Sequence, residues 1–130
     1  MKMESFLICD AASDYQGKLC VLGAFDTIFA KEAPVIHPSC SIAARIRFSK
    51  LEDGDHKIRM EIVDEDGHKA APPMDGNIRV KTSDSMISSV VNLILNLQRL
   101  KFEKFGEYCV RFQVDGNILA ELPVYLRKMK

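Results

Sequence analysis

The sequence predicts an all-β protein: an antiparallel sandwich of about eight short strands. Three observations point there. Apolar and polar residues alternate with period two along five separate runs, the mark of strands with one face buried and one wet. Asp-Gly occurs four times, at Asp53, Asp66, Asp75 and Asp115. Glycine supplies positive φ and aspartate tolerates turn geometry, so this dipeptide between alternating runs marks tight turns. The chain of 130 residues, 47% hydrophobic and 28% charged, has the make-up of one globular domain spanning residues 1–130 and not of a disordered chain.

The elements follow in chain order. Glu4–Asp10 and Lys18–Phe29 read as the first two strands, with Gly23 a bulge or bend in the second. Ile42, Ala44, Ile46 and Phe48 share a face, with Arg45 and Arg47 on the other. Ile58, Met60 and Ile62 repeat this against Arg59 and Glu61. Asp53-Gly54 is expected to close a hairpin between strands near 40–49 and 56–64. Ile78 and Val80 alternate briefly with Arg79 and Lys81, after Pro72-Pro73 has interrupted any strand there.

Ser88–Phe102 carries two periods. Val90, Ile94 and Leu97 could form a helical stripe, whereas Val91, Leu93, Leu95 and Leu97 alternate strictly. Two central asparagines weaken a helix, so the segment reads as a strand, apolar on both faces apart from those Asn. The last two strands are Glu107–Val114 and Ile118–Arg127, joined at Asp115-Gly116. A three-residue turn would set Val114 opposite Ile118, Phe112 opposite Ala120, Val110 opposite Leu122 and Tyr108 opposite Val124. A two-residue turn needs a compensating bulge, expected near Pro123, to keep apolar positions on one face. Tyr108 is expected in the core at the corner after Gly106, its hydroxyl on a backbone group.

Composition narrows function by exclusion. Eighteen basic and eighteen acidic residues give zero formal charge, which counts against a nucleic-acid footprint. The apolar run Phe6–Cys9, bracketed by Glu4 and Asp10, is shorter than the roughly 7–15 residues of a secretory signal. No window approaches the ~20 apolar residues of a spanning helix. The expected location is the cytoplasm, with no membrane partner. Cys9, Cys40, Cys20 and Cys109 include no Cys-x-x-Cys pair, so they are expected as free structural thiols and not as a zinc site or disulfides.

The candidate chemistry is thin. His37, His56 and His68 lie in no catalytic motif; His56 and His68 adjoin Asp-Gly turns and are expected to be solvated. The acidic turns Asp53-Gly54-Asp55 and Asp64-Glu65-Asp66 could in principle hold calcium, but they flank one strand and should sit roughly 20–30 Å apart. No residue is assigned as catalytic, cofactor-binding or metal-ligating.

The run Phe102 to Gly116, with its Gly106-Glu107-Tyr108 entry, resembles the last hairpin of immunoglobulin-like sandwiches. The chain as a whole resembles a family of small, uncharacterised bacterial proteins with that sandwich. The likeness rests on Leu7-Ile8-Cys9-Asp10-Ala11, Gly17-Lys18-Leu19, Leu22-Gly23-Ala24-Phe25-Asp26, His37-Pro38 and Gly106–Tyr108. It implies an immunoglobulin-like fold and no activity. The favoured reading is a non-enzymatic binding or assembly module with a protein partner, including a homodimer through a β edge or sheet face. The alternatives are an enzyme built from His37, a cysteine and a loop acid, or a calcium-dependent membrane-binding sandwich.

Overall fold

Strict alternation along most runs leaves each strand one apolar face, and two sheets bury those faces against each other. A computed structural model describes residues 1–130. Its strands are β1 (Lys2–Tyr15), β2 (Lys18–Phe25), β3 (Thr27–Ala30), β4 (Val35–Ser49), β5 (Gly54–Asp64), β6 (Met74–Val80), β7 (Ser88–Phe102), β8 (Gly106–Val114) and β9 (Asn117–Lys128). One sheet runs β2-β1-β4-β7 and the other β3-β9-β8-β5-β6. No helix is long and apolar enough to cross a membrane.

The fold is all-β, as the alternation predicts, with nine strands in place of about eight. The extra strand comes from 18–29, which does not run straight through. It breaks at Asp26, where the chain leaves one sheet and enters the other. The resulting β3 pairs parallel with β9, from Thr27↔Tyr125 to Ala30↔Lys128, so the second sheet is mixed and not wholly antiparallel. Two Asp-Gly signals are also reassigned. Asp53-Gly54 closes no hairpin: a 3-10 turn at Lys50–Glu52 carries the chain from β4 in one sheet to β5 in the other. Asp75-Gly76 lies inside β6, where Gly76 packs on Ile58.

Ser88–Phe102 is a strand, paired with β4 along its length from Val35↔Phe102 to Ser49↔Ser88. The period-two reading wins because Val91, Leu93, Leu95 and Leu97 lie opposite Ile46, Ala44, Ile42 and Cys40, all core positions. The β8–β9 hairpin keeps Phe112↔Ala120, Val110↔Leu122 and Tyr108↔Val124. Its turn has two residues, so Val114 meets Asn117, and the compensating bulge falls at Leu119, beside the turn and not near Pro123. The sheets meet in a core where Phe6 packs edge-on against Phe112 at 5.9 Å and Phe102 against Tyr108 at 4.9 Å.

β1 pairs with β4 only as far as Cys9↔Ser41, and its remaining half continues with β2 as an arm. The arm's tip bonds across β4: Asn92 of β7 donates to Asp14 Oδ2 (3.0 Å) and to the Gly17 carbonyl (3.1 Å), and Arg45 of β4 donates to the same carbonyl (3.3 Å). The arm therefore folds over the outer face of its own sheet. This covers Cys9, Ser41 and Ala43, which are buried although they point away from the core.

Candidate functional site

Where the arm peels away from β4, it leaves a crevice of about 460 Å³ lined by Asp10, Gly23, Phe25, Phe29 and His37 among others. Beyond Ser41, the β4 residues Val35–Cys40 have no β1 neighbour on that side. The His37 ring packs tilted against Phe25, centroids 5.8 Å apart, and its Nε2 is buried without a hydrogen-bond partner in the chain. Gly23 is what lets Asp10 lie across β2. Its φ is +70°, and a Cβ there would stand 2.6 Å from Asp10 Oδ2. Three of the fragments that carry the family resemblance, Leu7–Ala11, Leu22–Asp26 and His37-Pro38, thus meet in one place. Phe29 adds an exposed apolar wall. The arrangement can hold a small polar group against Asp10 and His37 beside aromatic surface. It has no neighbouring thiol among its lining residues.

The other candidates resolve into structural roles. Cys9 and Cys40 are buried, and burial raises both thiols, Cys40 to about 11. Burial raises Cys109 as well, and its Sγ lies 3.2 Å from Glu121 Oε2. A nucleophilic cysteine needs its thiolate, so these three environments work against one. Cys20 is exposed on β2.

His56 is not solvated. Its side chain is 11% exposed and packs on Phe48 at 5.0 Å. Nδ1 lies 2.6 Å from Asp115 Oδ2 and Nε2 lies 2.6 Å from the Glu52 carbonyl. The Asp115 bond, then the carbonyl, raise the imidazole pKa, and the His56 bond lowers that of Asp115. This clamps the Lys50–Glu52 turn to the β8–β9 turn. His68 is open to solvent, with its side chain 81% exposed.

The two acidic turns do sit at opposite ends of β5. Asp53 accepts from the Thr82 amide and hydroxyl, at 3.0 and 2.7 Å. Asp64 Oδ1 accepts from the amides of Asp66 and His68, both at 2.9 Å, which shapes the turn. Asp64, Asp66 and His68 bring one ligand atom each within 4.8 Å of one another. The Lys104 ammonium stands 2.6 Å from Asp66 and 3.7 Å from Asp64, where a cation would go.

The remaining feature is an edge. β7 ends its sheet with one side unpaired. From Ser88 to Gln98 it carries no charged residue, no proline and no glycine. Edge strands are usually blunted by such residues.

Comparison with solved structures finds the fold elsewhere. The chain is similar to the alkylpurine DNA glycosylase AlkC of Pseudomonas fluorescens, solved bound to DNA containing an abasic site analog. The TM-score is 0.54 at 12% identity, covering 97% of this chain and 30% of that one. The chain thus spans under a third of that protein, and the likeness is one of fold. A glycosyl hydrolase family 2 member from Bacteroides cellulosilyticus matches with TM-score 0.38 and 14% identity, over 70% of this chain and 13% of the other. No curated protein matches the sequence. A family model does, over residues 4–127, a span that takes in the arm, the crevice, the β7 edge and the Tyr108 corner: the chain belongs to the family described as a family of unknown function, DUF6941.

Proposed function

We propose that the protein is a non-enzymatic binding or assembly module acting through protein contacts, on an immunoglobulin-like sandwich. The observation that carries the binding reading is the uncharged open edge of β7. A strand with free backbone donors and acceptors and no gatekeeper is a template for strand addition. The Tyr108 corner and the two-sheet packing support the immunoglobulin-like assignment. The raised thiols of Cys9, Cys40 and Cys109 speak against the Cys/His enzyme, and the Lys104 ammonium against calcium at the acidic turn. Zero net charge favours a protein partner over nucleic acid, including the DNA on which AlkC was solved. The buried free thiols of Cys9 and Cys40 fit a reducing cytoplasm.

A photo-crosslinking residue placed at Val90 or Ile94, in cells expressing the protein, tests this. Protein adducts are expected from both positions and not from Glu121, exposed on β9 inside the other sheet. Adducts absent at Val90 and Ile94, or no more frequent there than at Glu121, would overturn the reading.

A further inference from the structure

The β7 edge reads the same in both directions at its centre. Asn92-Leu93-Ile94-Leu95-Asn96 is a palindrome about Ile94. Two antiparallel copies related by a two-fold axis place each residue opposite its mirror position. We propose that β7 pairs with β7 of a second copy about an axis through Ile94, joining two four-stranded sheets into one of eight strands. This rests on the binding reading above and names its partner.

Three observations fix that register. The first is face. Val91, Leu93, Leu95 and Leu97 point to the core side, and Asn92, Ile94 and Asn96 to the outer side. Side chains directly opposite in an antiparallel pair share a face, so only registers that match inner with inner positions are allowed. The second is chemistry. With Ile94 on the axis, Ile94 meets Ile94, Leu93 meets Leu95, Val91 meets Leu97 and Asn92 meets Asn96, each pair occurring twice except the first. Moving the axis to Leu93 or Leu95 sets an asparagine against Ile94.

The third is hydrogen-bond capacity. Asn92 commits its amide donor to Asp14 and the Gly17 carbonyl, and its Oδ1 accepts once, from Arg45 at 3.0 Å. Asn96 Oδ1 accepts from Ser41 at 2.7 Å, and its Nδ2 has no partner in the chain. An amide oxygen has two lone pairs, so Asn92 can accept from the Asn96 amide of the second copy. Centring the axis on Asn92 instead would face two amides with no free donor between them and set Ser89 against Leu95.

Pairing also covers apolar surface. Val90, Val91, Leu93, Ile94 and Leu95 are each only half-buried in the single chain. Leu95 lines a cavity of about 80 Å³ with Ile58, Met60, Met74, Gly76 and Phe112, on the side of the sandwich where β6 and β7 end the two sheets. In the paired sheet Leu93 of the second copy stands beside Leu95 on that face.

Cysteine scanning tests the register, in a chain carrying Cys20→Ser and Cys109→Ser so that only the buried Cys9 and Cys40 remain. Residues directly opposite bring Cα atoms to ~4.5–5.5 Å, within disulfide range. Ile94→Cys is expected to form a covalent dimer with itself under mild oxidation. Val90→Cys lies eight residues from its opposite position, roughly 26 Å, so alone it should not; mixed with Gln98→Cys it should form the heterodimer. By sedimentation, the unsubstituted chain should be a dimer. Ile94→Lys sets two like charges on the axis and should lose the dimer while melting as a folded monomer.

Crosslinking of Val90→Cys with Ile94→Cys, in place of self-linked Ile94→Cys, would overturn the register. A strict monomer by sedimentation, with no disulfide dimer, would overturn self-pairing. In that case photo-adducts from Val90 and Ile94 to other proteins would leave the binding reading standing, and their absence would remove both.

Discussion

Tyr108 is 3% exposed, and its hydroxyl donates to the Lys104 carbonyl at 2.6 Å while accepting from the Lys104 amide at 3.3 Å. One side chain thus ties the turn before β8 to the core. Tyr108→Phe should cost about 1 kcal/mol, a typical net hydrogen bond. Tyr108→Ala should cost roughly 3–5 kcal/mol, the range for a large aromatic removed from a core. Denaturant melts decide both, and an unshifted midpoint for Tyr108→Ala would contradict the burial. His56 makes a prediction about pH. Both its ring nitrogens face acceptors, and only the protonated ring donates to both. Its folded pKa is raised by Asp115 first and the Glu52 carbonyl second. The stability it contributes is complete below its unfolded value near 6.5 and is lost as pH rises through the raised folded value. Asp115 is depressed by His56, so its contribution is present above about 3.9 and lost as pH falls through its lowered folded value. The clamp is whole between those limits. The denaturation midpoint should fall as pH is raised beyond about 6.5, and His56→Gln should remove most of that fall. A midpoint of the unsubstituted chain that stays flat there would show a neutral, uncoupled imidazole. Tyr108 was legible in the sequence because a local corner places it. His56 was not, because its partners at Asp115 and Glu52 come together only when the two sheets pack.

Strand existence was legible almost throughout, since burial on one face leaves a period of two in any sequence that folds this way. What each strand joins was not. Asp53-Gly54 and Asp115-Gly116 look alike, yet only the second makes a hairpin. A turn dipeptide records local backbone preference and carries no information about which sheet receives the next strand. The arm is the sharpest case. Gly23 was readable as a bend, but the fold-back over β4 depends on Asn92, Arg45, Asp14 and Gly17, which are far apart in sequence. Gly23→Ala should destabilise by ~1–2 kcal/mol for the left-handed backbone alone, with a further cost from the clash with Asp10. In an Asp10→Ala background the contacts with Oδ2 and Cγ at 2.6 and 3.1 Å vanish, while the 3.3 Å approach of the Asp10 Cβ and the backbone cost remain. A double-mutant cycle by chemical denaturation should therefore show the two substitutions coupled; strictly additive effects would mean that Asp10 does not lie over Gly23.

At the scale of the molecule, two sheets with four edges have to settle which edges stay open. The β2 edge is carried off with the arm, β3 spans only four residues, and β6 seven. β7 offers fifteen residues, over the first eleven of which no charge stands. Association through it follows from that asymmetry, and a second copy is the partner its palindrome fits. The all-β class, the face each core residue takes and the register of the central pairs of the last hairpin are written locally in the chain, because alternation and short turns are properties of neighbouring residues. The chain also holds the palindrome in plain letters. That β7 is an edge, that 18–29 divides between two sheets, and that Asp10, Gly23, Phe25 and His37 line one crevice emerge from the packing of the sheets. Those outcomes depend on which surfaces meet when residues tens of positions apart are brought together, and no local period or turn preference encodes that choice.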